Sequence, residues 1–410
     1  MHDEGGTQSS AKVFANIFIS FVGAGVLGLP FAFKEAGVME GSLIMTFIAI
    51  ISTKSLLLLI DCKYKLMSKS EVENGHGVNS GHESPIPFDR DLEYGDVGFH
   101  ALGSVGQFLV EIPVLVSQAG FSCAYLIFIS ENVSNVLPAL SKNTWLLIMM
   151  IPLFFLCTLK HLKSLGTFSI FADFANVFAY GIVYWFDFEH IHLVKLHPNT
   201  WSMNGFTFFV CMSIYCYEGA GMILSLEQSA SQNSNHDFRY LFKCVMFVVT
   251  VIYISFGVCG YLSFGAETNS IITLNLPPGV FPLLVKSCLC FSLFFTYPVM
   301  MFPVTRMLDI KLGIDSNSNS SGNSPIALRA AVVVFTCIVV LAIPSFSDLM
   351  ALVGATCCTM LLLTLPGLFH YILFKGQLSK LESMLDIFLI VSGVIGAILG
   401  TADAVHRIYT

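Results

Sequence analysis

Long, unbroken apolar runs organise this 410-residue chain. They fall at about residues 11–33, 41–62, 101–130, 145–159, 168–187, 204–227, 240–263, 281–305, 327–344, 348–373 and 384–402. A run of roughly 20 apolar residues crosses a bilayer as a helix. The runs lack the apolar–polar alternation of membrane β-strands. The pattern therefore predicts an all-α polytopic membrane protein with about eleven transmembrane helices. Three polar stretches punctuate it: a tail at 1–10, a hydrophilic loop at 64–98 containing SEVENGHGVNSGHESP, and a linker at 311–325 reading KLGIDSNSNSSGNSP. Their composition predicts flexible segments.

Inside the first run stands Gly23-Ala24-Gly25-Val26-Leu27-Gly28. Its G-x-G-x-x-G spacing imitates a dinucleotide fingerprint, which needs a preceding strand, a following helix and an acidic residue about 20 positions on. Here the preceding residues belong to a membrane-length run, Pro30 follows closely, and the position twenty beyond Gly28 is Ile48. The nucleotide reading fails. Glycines in membrane helices also serve close packing, but each costs a helix about 1 kcal/mol relative to Ala. Pro30 suits the first turn of a new helix, where its missing N–H is not needed. A helix broken at the glycines fits all of this.

The sixth run repeats the feature. It reads YCYEGAGMILSLE, with Tyr215, Glu218 and Gly219-Ala220-Gly221. Paired interruptions at corresponding places of two halves point to a transporter site built on inverted repeats. The expected organisation is 5+5: a first five-helix repeat at 11–187, a second at 204–373, and an additional helix at 384–402. Helices 1 and 6 are then discontinuous. Freed backbone N–H groups favour a carboxylate, and freed carbonyls an ammonium. A free amino acid carries both.

Composition agrees. Residues are 55% hydrophobic and 11% charged, against about 25% charged in soluble domains. The net charge of −7 carries no basic stripe, so nucleic acid is not an expected partner; the bilayer is. With the N-terminus cytosolic, most Lys and Arg fall on the cytosolic side, and only Lys34, Lys142, Lys195 and Arg407 on the other. The positive-inside rule then favours a cytosolic N-terminus and a lumenal C-terminus. The first run reads as a spanning helix rather than a cleaved signal peptide. The 12 cysteines lie mostly within apolar runs, which argues for packing rather than a disulfide framework. No spacing resembles a zinc site, and no cofactor is expected. Asn132-Val-Ser is a sequon on the lumenal side, close to the membrane.

Charge within a membrane helix is a functional hypothesis by default. Glu218 adjoins the second break, where it is expected to accept hydrogen bonds from freed N–H groups or to carry a proton. Glu111 and Asp173, in spans three and five, are further proton-coupling candidates. Lys286 is expected to snorkel, and Glu227 to be a solvated or capping residue. Gln118, Tyr125, Phe294, Phe295 and Thr296 are candidate pocket or gate residues in spans three and eight. Asn16 and Thr296 are candidates for a cation site. His190, His192 and His197 cluster in an outer loop that an acidic lumen would protonate.

The motifs FVGAGVLGLPFAFKEAG (21–37), SQAGFSCAYLIFISEN (117–132), SLGTFSIFAD (164–173), YEGAGMILSLE (217–227), SFGVCGYLSFG (255–265) and LFFTYPVMMFPV (293–304) resemble the amino acid/auxin permease family. The likeness is strongest to plant vacuolar amino acid transporters and weaker to animal proton-coupled ones. It implies an APC-type LeuT-like fold, transport of neutral amino acids from vacuole to cytosol, and coupling to H+ rather than Na+. It also implies a transporter rather than an enzyme; an amino acid-sensing receptor of the same fold is the alternative. Two departures stand out. Ser225 occupies the place of a usual proline in Leu224-Ser225-Leu226-Glu227, and the span around FANVFAYGIVYWFDFEHIH is unusually aromatic, without the valine-rich run and acidic exit expected there.

Overall fold

The computed structural model describes residues 10–75, 92–158, 166–190, 205–230, 235–311 and 324–409, with the side chains of 10–12, 69–75, 166–174, 190, 235–237 and 324–325 left aside. The described residues are helical almost throughout. α1 (Ser10–Phe21) gives way to a 3-10 turn at Ala24–Gly28 and to α2 (Leu29–Ala36). These two pieces of the first span meet at 42°. α3 (Val38–Gly75), α4 (Tyr94–Leu102), α5 (Ser104–Val136), α6 (Lys142–Cys157) and α7 (Gly166–His190) follow.

The second part holds α8 (Phe206–Cys216), α9 (Ala220–Ser229), α10 (Asn235–Phe264), α11 (Val280–Lys311) and α12 (Ser324–Ala342). α13 (Phe346–Val353) and α14 (Leu365–Leu373) are joined through two π-helical turns, Gly354–Cys358 and Met360–Thr364, and α15 (Lys380–Tyr409) ends the described chain.

Among the described residues, seven helical stretches are long and apolar enough to cross a membrane, eight with the bent α1–α2 pair. α6 and Ile326–Ala342 are shorter apolar helices; with α7 they stand where spans four, nine and five are expected.

Helix boundaries differ from the sequence expectation in two places. The hydrophilic stretch 64–98 is helical at both ends, because α3 continues to Gly75 and α4 starts at Tyr94. A capping box starts α4: the Glu93 N–H donates to Asp96 Oδ2 at 2.9 Å. The third apolar run does not begin as one helix either. Gly103, at φ +66°, turns the chain between α4 and α5. The two helices then touch backbone to backbone: a Cβ on Gly106 would lie 2.0 Å from the Gly98 carbonyl oxygen.

The π-helical turns went unread in the sequence. They lie where Gly354 passes so close to α8 that a Cβ would stand 2.1 Å from the Cys211 carbonyl oxygen. Thr359 Oγ1 donates back to the Gly354 carbonyl at 2.6 Å, satisfying one acceptor of the widened ladder. Around the first break, α10 packs on α2, α3 and α7, while α13 packs on α8 and α5. Phe33 meets Phe209 edge-on, with centroids 4.9 Å apart. This packing places the broken segments at the centre of the helices rather than at their rim.

Candidate substrate cavity

At the first break the ladder stops because the Gly23 N–H turns back to the Phe21 carbonyl at 2.9 Å. Two tyrosines from other helices supply donors to the freed carbonyls. Tyr253 Oη on α10 donates to Phe21 O at 2.5 Å, and Tyr180 Oη on α7 donates to Gly23 O at 3.1 Å. Backbone groups buried without water need such partners. The glycines differ in what they permit. A Cβ on Gly25 would lie 3.1 Å from Cys216 Sγ, so its absence lets the two breaks approach. A Cβ on Gly23 would meet nothing within 4 Å; this glycine faces open space. Pro30 stands in the first turn of α2, where a missing N–H is tolerated.

Between Cys216 and Ala220 the chain leaves helical geometry again, with Gly219 at φ −157° and ψ 7°. Here the chain caps itself: Glu218 Oε1 accepts the Ala220 N–H at 3.1 Å. Gly219 has no room for a side chain, since a Cβ would lie 2.5 Å from the Phe21 ring. The Tyr253 hydroxyl that serves the first break also stands 3.4 Å from the Cys216 carbonyl. One side chain therefore touches the ends of both α1 and α8.

A partly open cavity of about 540 Å³, mouth included, lies between the breaks. Of the residues singled out in the sequence, Gly23, Ala24, Gly25, Gln118, Tyr125, Tyr215 and Glu218 line it. Val26, Leu27 and Gly28 are buried behind it, where a Cβ on Gly28 would press on Met212 and Phe346. Gly219, Ala220 and Gly221 shape the second break without lining the space. Phe294 and Phe295 pack together in an aromatic run, with Phe295 4.6 Å from Phe291; α11 reaches the cavity through Met300 instead.

Other lining residues were not read from sequence. Phe121 follows Gln118 by three positions and precedes Tyr125 by four, so helical spacing would have found it; its ring meets Tyr215 edge-on at 4.9 Å. Ser20, Phe21, Cys216 and Met222 flank the breaks. Tyr253 and Met300 arrive from distant helices, with no local signal.

The remaining charged candidates stand apart. Glu111 Oε2 pairs with Lys311 Nζ at 2.9 Å and its Oε1 accepts from Gln107 at 2.6 Å. Asp173 lies on α7, its side chain outside the described residues. Glu227 is not solvated but buried, paired with Lys63 Nζ at 2.8 Å and accepting from the Tyr64 hydroxyl. Lys286 does not snorkel; it is buried and donates to Asn135 Oδ1 at 2.7 Å. Thr296 Oγ1 bonds its own helix at Ser292 O, and Asn16 is exposed on α1 outside the cavity lining. The His190 side chain, His192 and His197 lie outside the described residues. Among the described residues no group of three or more His, Cys, Asp or Glu is placed to hold a metal. Asn132 is fully buried, donates to Phe128 O and accepts from Thr273 at 2.7 Å, which leaves no room for a glycan.

Comparison with known proteins adds identity to this geometry. The family profile described as transmembrane amino acid transporter protein matches residues 6–406. Amino acid transporter AVT3B of Arabidopsis thaliana is 34% identical over 98% of this chain and 94% of its own length. Amino acid transporter ANT1 of the same plant is 33% identical over 98% and 93%. Vacuolar amino acid transporter 3 of Saccharomyces cerevisiae is 27% identical over 94% of this chain and 55% of its own. The inward-facing structure of Mhp1 superposes with a TM-score of 0.53 at 12% identity, covering 98% of this chain and 93% of that one. That likeness shows the fold alone, which is LeuT-like.

Proposed function

Because the chain belongs to the transmembrane amino acid transporter family, we propose that it carries neutral amino acids across a vacuolar membrane by alternating access, coupled to H+ and directed from lumen to cytosol. Amino acid transport is the family's activity; specificity, coupling and direction are our reading. The two halves of the site would come from repeats at 11–187 and 204–373, with 384–402 added. The name of the yeast relative, vacuolar amino acid transporter 3, supports a vacuolar membrane. The Lys and Arg distribution supports a cytosolic N-terminus.

The observation that carries neutral specificity is the lining of the cavity. Among the described residues its lining holds one carboxylate, Glu218, and neither Lys nor Arg. A zwitterion fits this set. Its carboxylate faces the N–H groups that open the turn at Ala24 and Gly25, and its ammonium faces Glu218. An acidic side chain on the substrate would find no cation, and a basic one no second acid. Phe121, Tyr125, Tyr215, Met222 and Met300 leave an apolar region for a small or medium side chain.

Glu218 also supports H+ as the coupling ion. In this conformation its carboxylate holds the Ala220 N–H. Protonation changes what it offers to an ammonium in the same cavity, so proton and substrate occupancy are linked. Counterflow of labelled amino acids in proteoliposomes, with imposed pH or Na+ gradients, tests the proposal. Exchange of neutral amino acids and concentrative uptake driven by a pH gradient are expected. Binding without flux under any gradient would favour the amino acid sensor instead.

A further inference from the structure

Asp187 has no place in the mechanism above. It lies near the end of α7 and is fully buried, yet neither carboxylate oxygen has a hydrogen-bond partner among the described residues. Three helices close over it. A Cβ on Gly260 of α10 would stand 3.2 Å from Asp187 Oδ2 and 2.6 Å from Pro30 of α2, so α7, α10 and α2 meet here only because residue 260 is glycine. The Ser263 hydroxyl donates to the Asp187 main-chain carbonyl, not to its side chain.

Among the described residues no counter-charge reaches this seam. The titratable neighbours are Tyr184 of α7 and Cys259 of α10, whose thiol faces the Tyr184 hydroxyl at 3.8 Å. Lys34 of α2 donates to the Thr268 carbonyl at 3.1 Å, and Lys286 of α11 donates to Asn135. An ionised carboxylate deprived of water, cation and hydrogen bonds is among the costliest groups a protein can bury. The neutral acid is much cheaper. Pro30 adds significance, because α2 is the half-helix that follows the first break.

We propose that Asp187 is a proton-binding site that locks the α7–α10–α2 seam when occupied. With the N-terminus cytosolic, this seam lies in the lumenal half of the protein, at the end of the span that runs from cytosol to lumen. A proton taken from an acidic lumen lets the seam close over Asp187. Release requires the helices to part and admit water, so the proton returns to the lumenal side. Asp187 then gates the conformational cycle without carrying the coupled proton. The proposal rests on the transport reading and on that orientation; Glu218 serves coupling and Asp187 serves closure.

The test is amino acid exchange by the full chain in proteoliposomes at equal pH on both sides, where no gradient drives transport. Wild-type exchange is expected to fall as the pH on both sides is raised from about 5 to about 8. Because Glu218 titrates in its own right, the readout is taken in a Glu218→Gln background. There Asp187→Asn, neutral at every pH, should make exchange nearly independent of pH, while Asp187→Asn alone keeps pH-gradient-driven accumulation. Asp187→Ser should do the same. A variant with the pH profile of its Glu218→Gln parent overturns the proposal. Absence of wild-type exchange at every pH would instead defeat the transport reading. If neither variant folds, infrared spectra of wild-type protein with 13C-labelled aspartate decide. A protonated-aspartic-acid band that survives Asp386→Asn, the other fully buried aspartate among the described residues, supports the site, and its absence overturns it.

Discussion

The two helix breaks solve one problem in different ways. The first, after Phe21, draws on other helices: Tyr253 and Tyr180 add donors to the Phe21 and Gly23 carbonyls, which otherwise hold only the local Gly23 and Val26 N–H groups. The second depends on itself, through Glu218 and the N–H two residues on. The first span also bends by 42°, while Phe206–Ser229 remains a single membrane-length stretch through its interruption. An interruption held from outside responds to movements of α7 and α10. One held by its own carboxylate responds to protonation or to an ammonium in the cavity. The two breaks thus give the site one mechanical input and one electrostatic input, joined by the Tyr253 hydroxyl.

The comparison breaks first at Glu218. Glu218→Gln retains a carbonyl acceptor for Ala220 but cannot ionise. PH-gradient-driven accumulation should collapse to simple equilibration while substrate binding and exchange persist, as read by concentrative uptake against counterflow. Glu218→Ala removes the acceptor too; leaving a buried N–H unpaired costs about 1–3 kcal/mol, so a lower melting temperature should join the loss of uptake.

A sharper contrast lies within one motif. Gly219→Ala drives a methyl group into the Phe21 ring, and overpacking of this kind costs roughly 1–3 kcal/mol. Because Phe21 lines the cavity, weaker substrate binding should accompany the lost stability. Gly221→Ala meets nothing within 4 Å and should change stability by no more than about 1 kcal/mol, in the stabilising direction, since Ala favours helix. Thermal unfolding and substrate titration of the pair read both effects. Equal behaviour of the two variants would remove the packing argument for Gly219.

The smaller effects concern the external supports. Tyr253→Phe removes a hydrogen bond to Phe21 O, worth about 1 kcal/mol, and should weaken substrate binding because the Phe21 end of α1 lines the cavity. Tyr180→Phe removes the longer 3.1 Å bond to Gly23 O and should cost less. A Tyr180 effect larger than that of Tyr253 would contradict the ranking drawn from geometry.

Both breaks were legible in sequence because their causes are local. Glycine clusters weaken a helix, Pro30 restarts one, and Gly-Ala-Gly recurs in the sixth span. The residues that complete the cavity were not legible for the opposite reason. Tyr253 and Met300 look like ordinary members of apolar helices, and only the packing of α10 and α11 brings them to the breaks. Charge was misread for a related reason. Glu227 and Lys286 looked peripheral by position, but partners distant in sequence, Lys63 and Asn135, allow their burial. Asp187 sat unremarked in an aromatic span, because its lack of partners among the described residues is a property of the assembled helices. The π-helical turns left no mark in the hydropathy pattern, which registers apolar runs rather than hydrogen-bond register.

The central claim is that one cavity between the two breaks takes a neutral amino acid and that protonation of Glu218 is linked to that occupancy. Concentrative uptake of labelled neutral amino acid under an imposed pH gradient, wild type against Glu218→Gln, tests it most directly. The account predicts accumulation by the wild-type chain and, for the variant, exchange without accumulation. Wild-type accumulation retained in full by Glu218→Gln would contradict it.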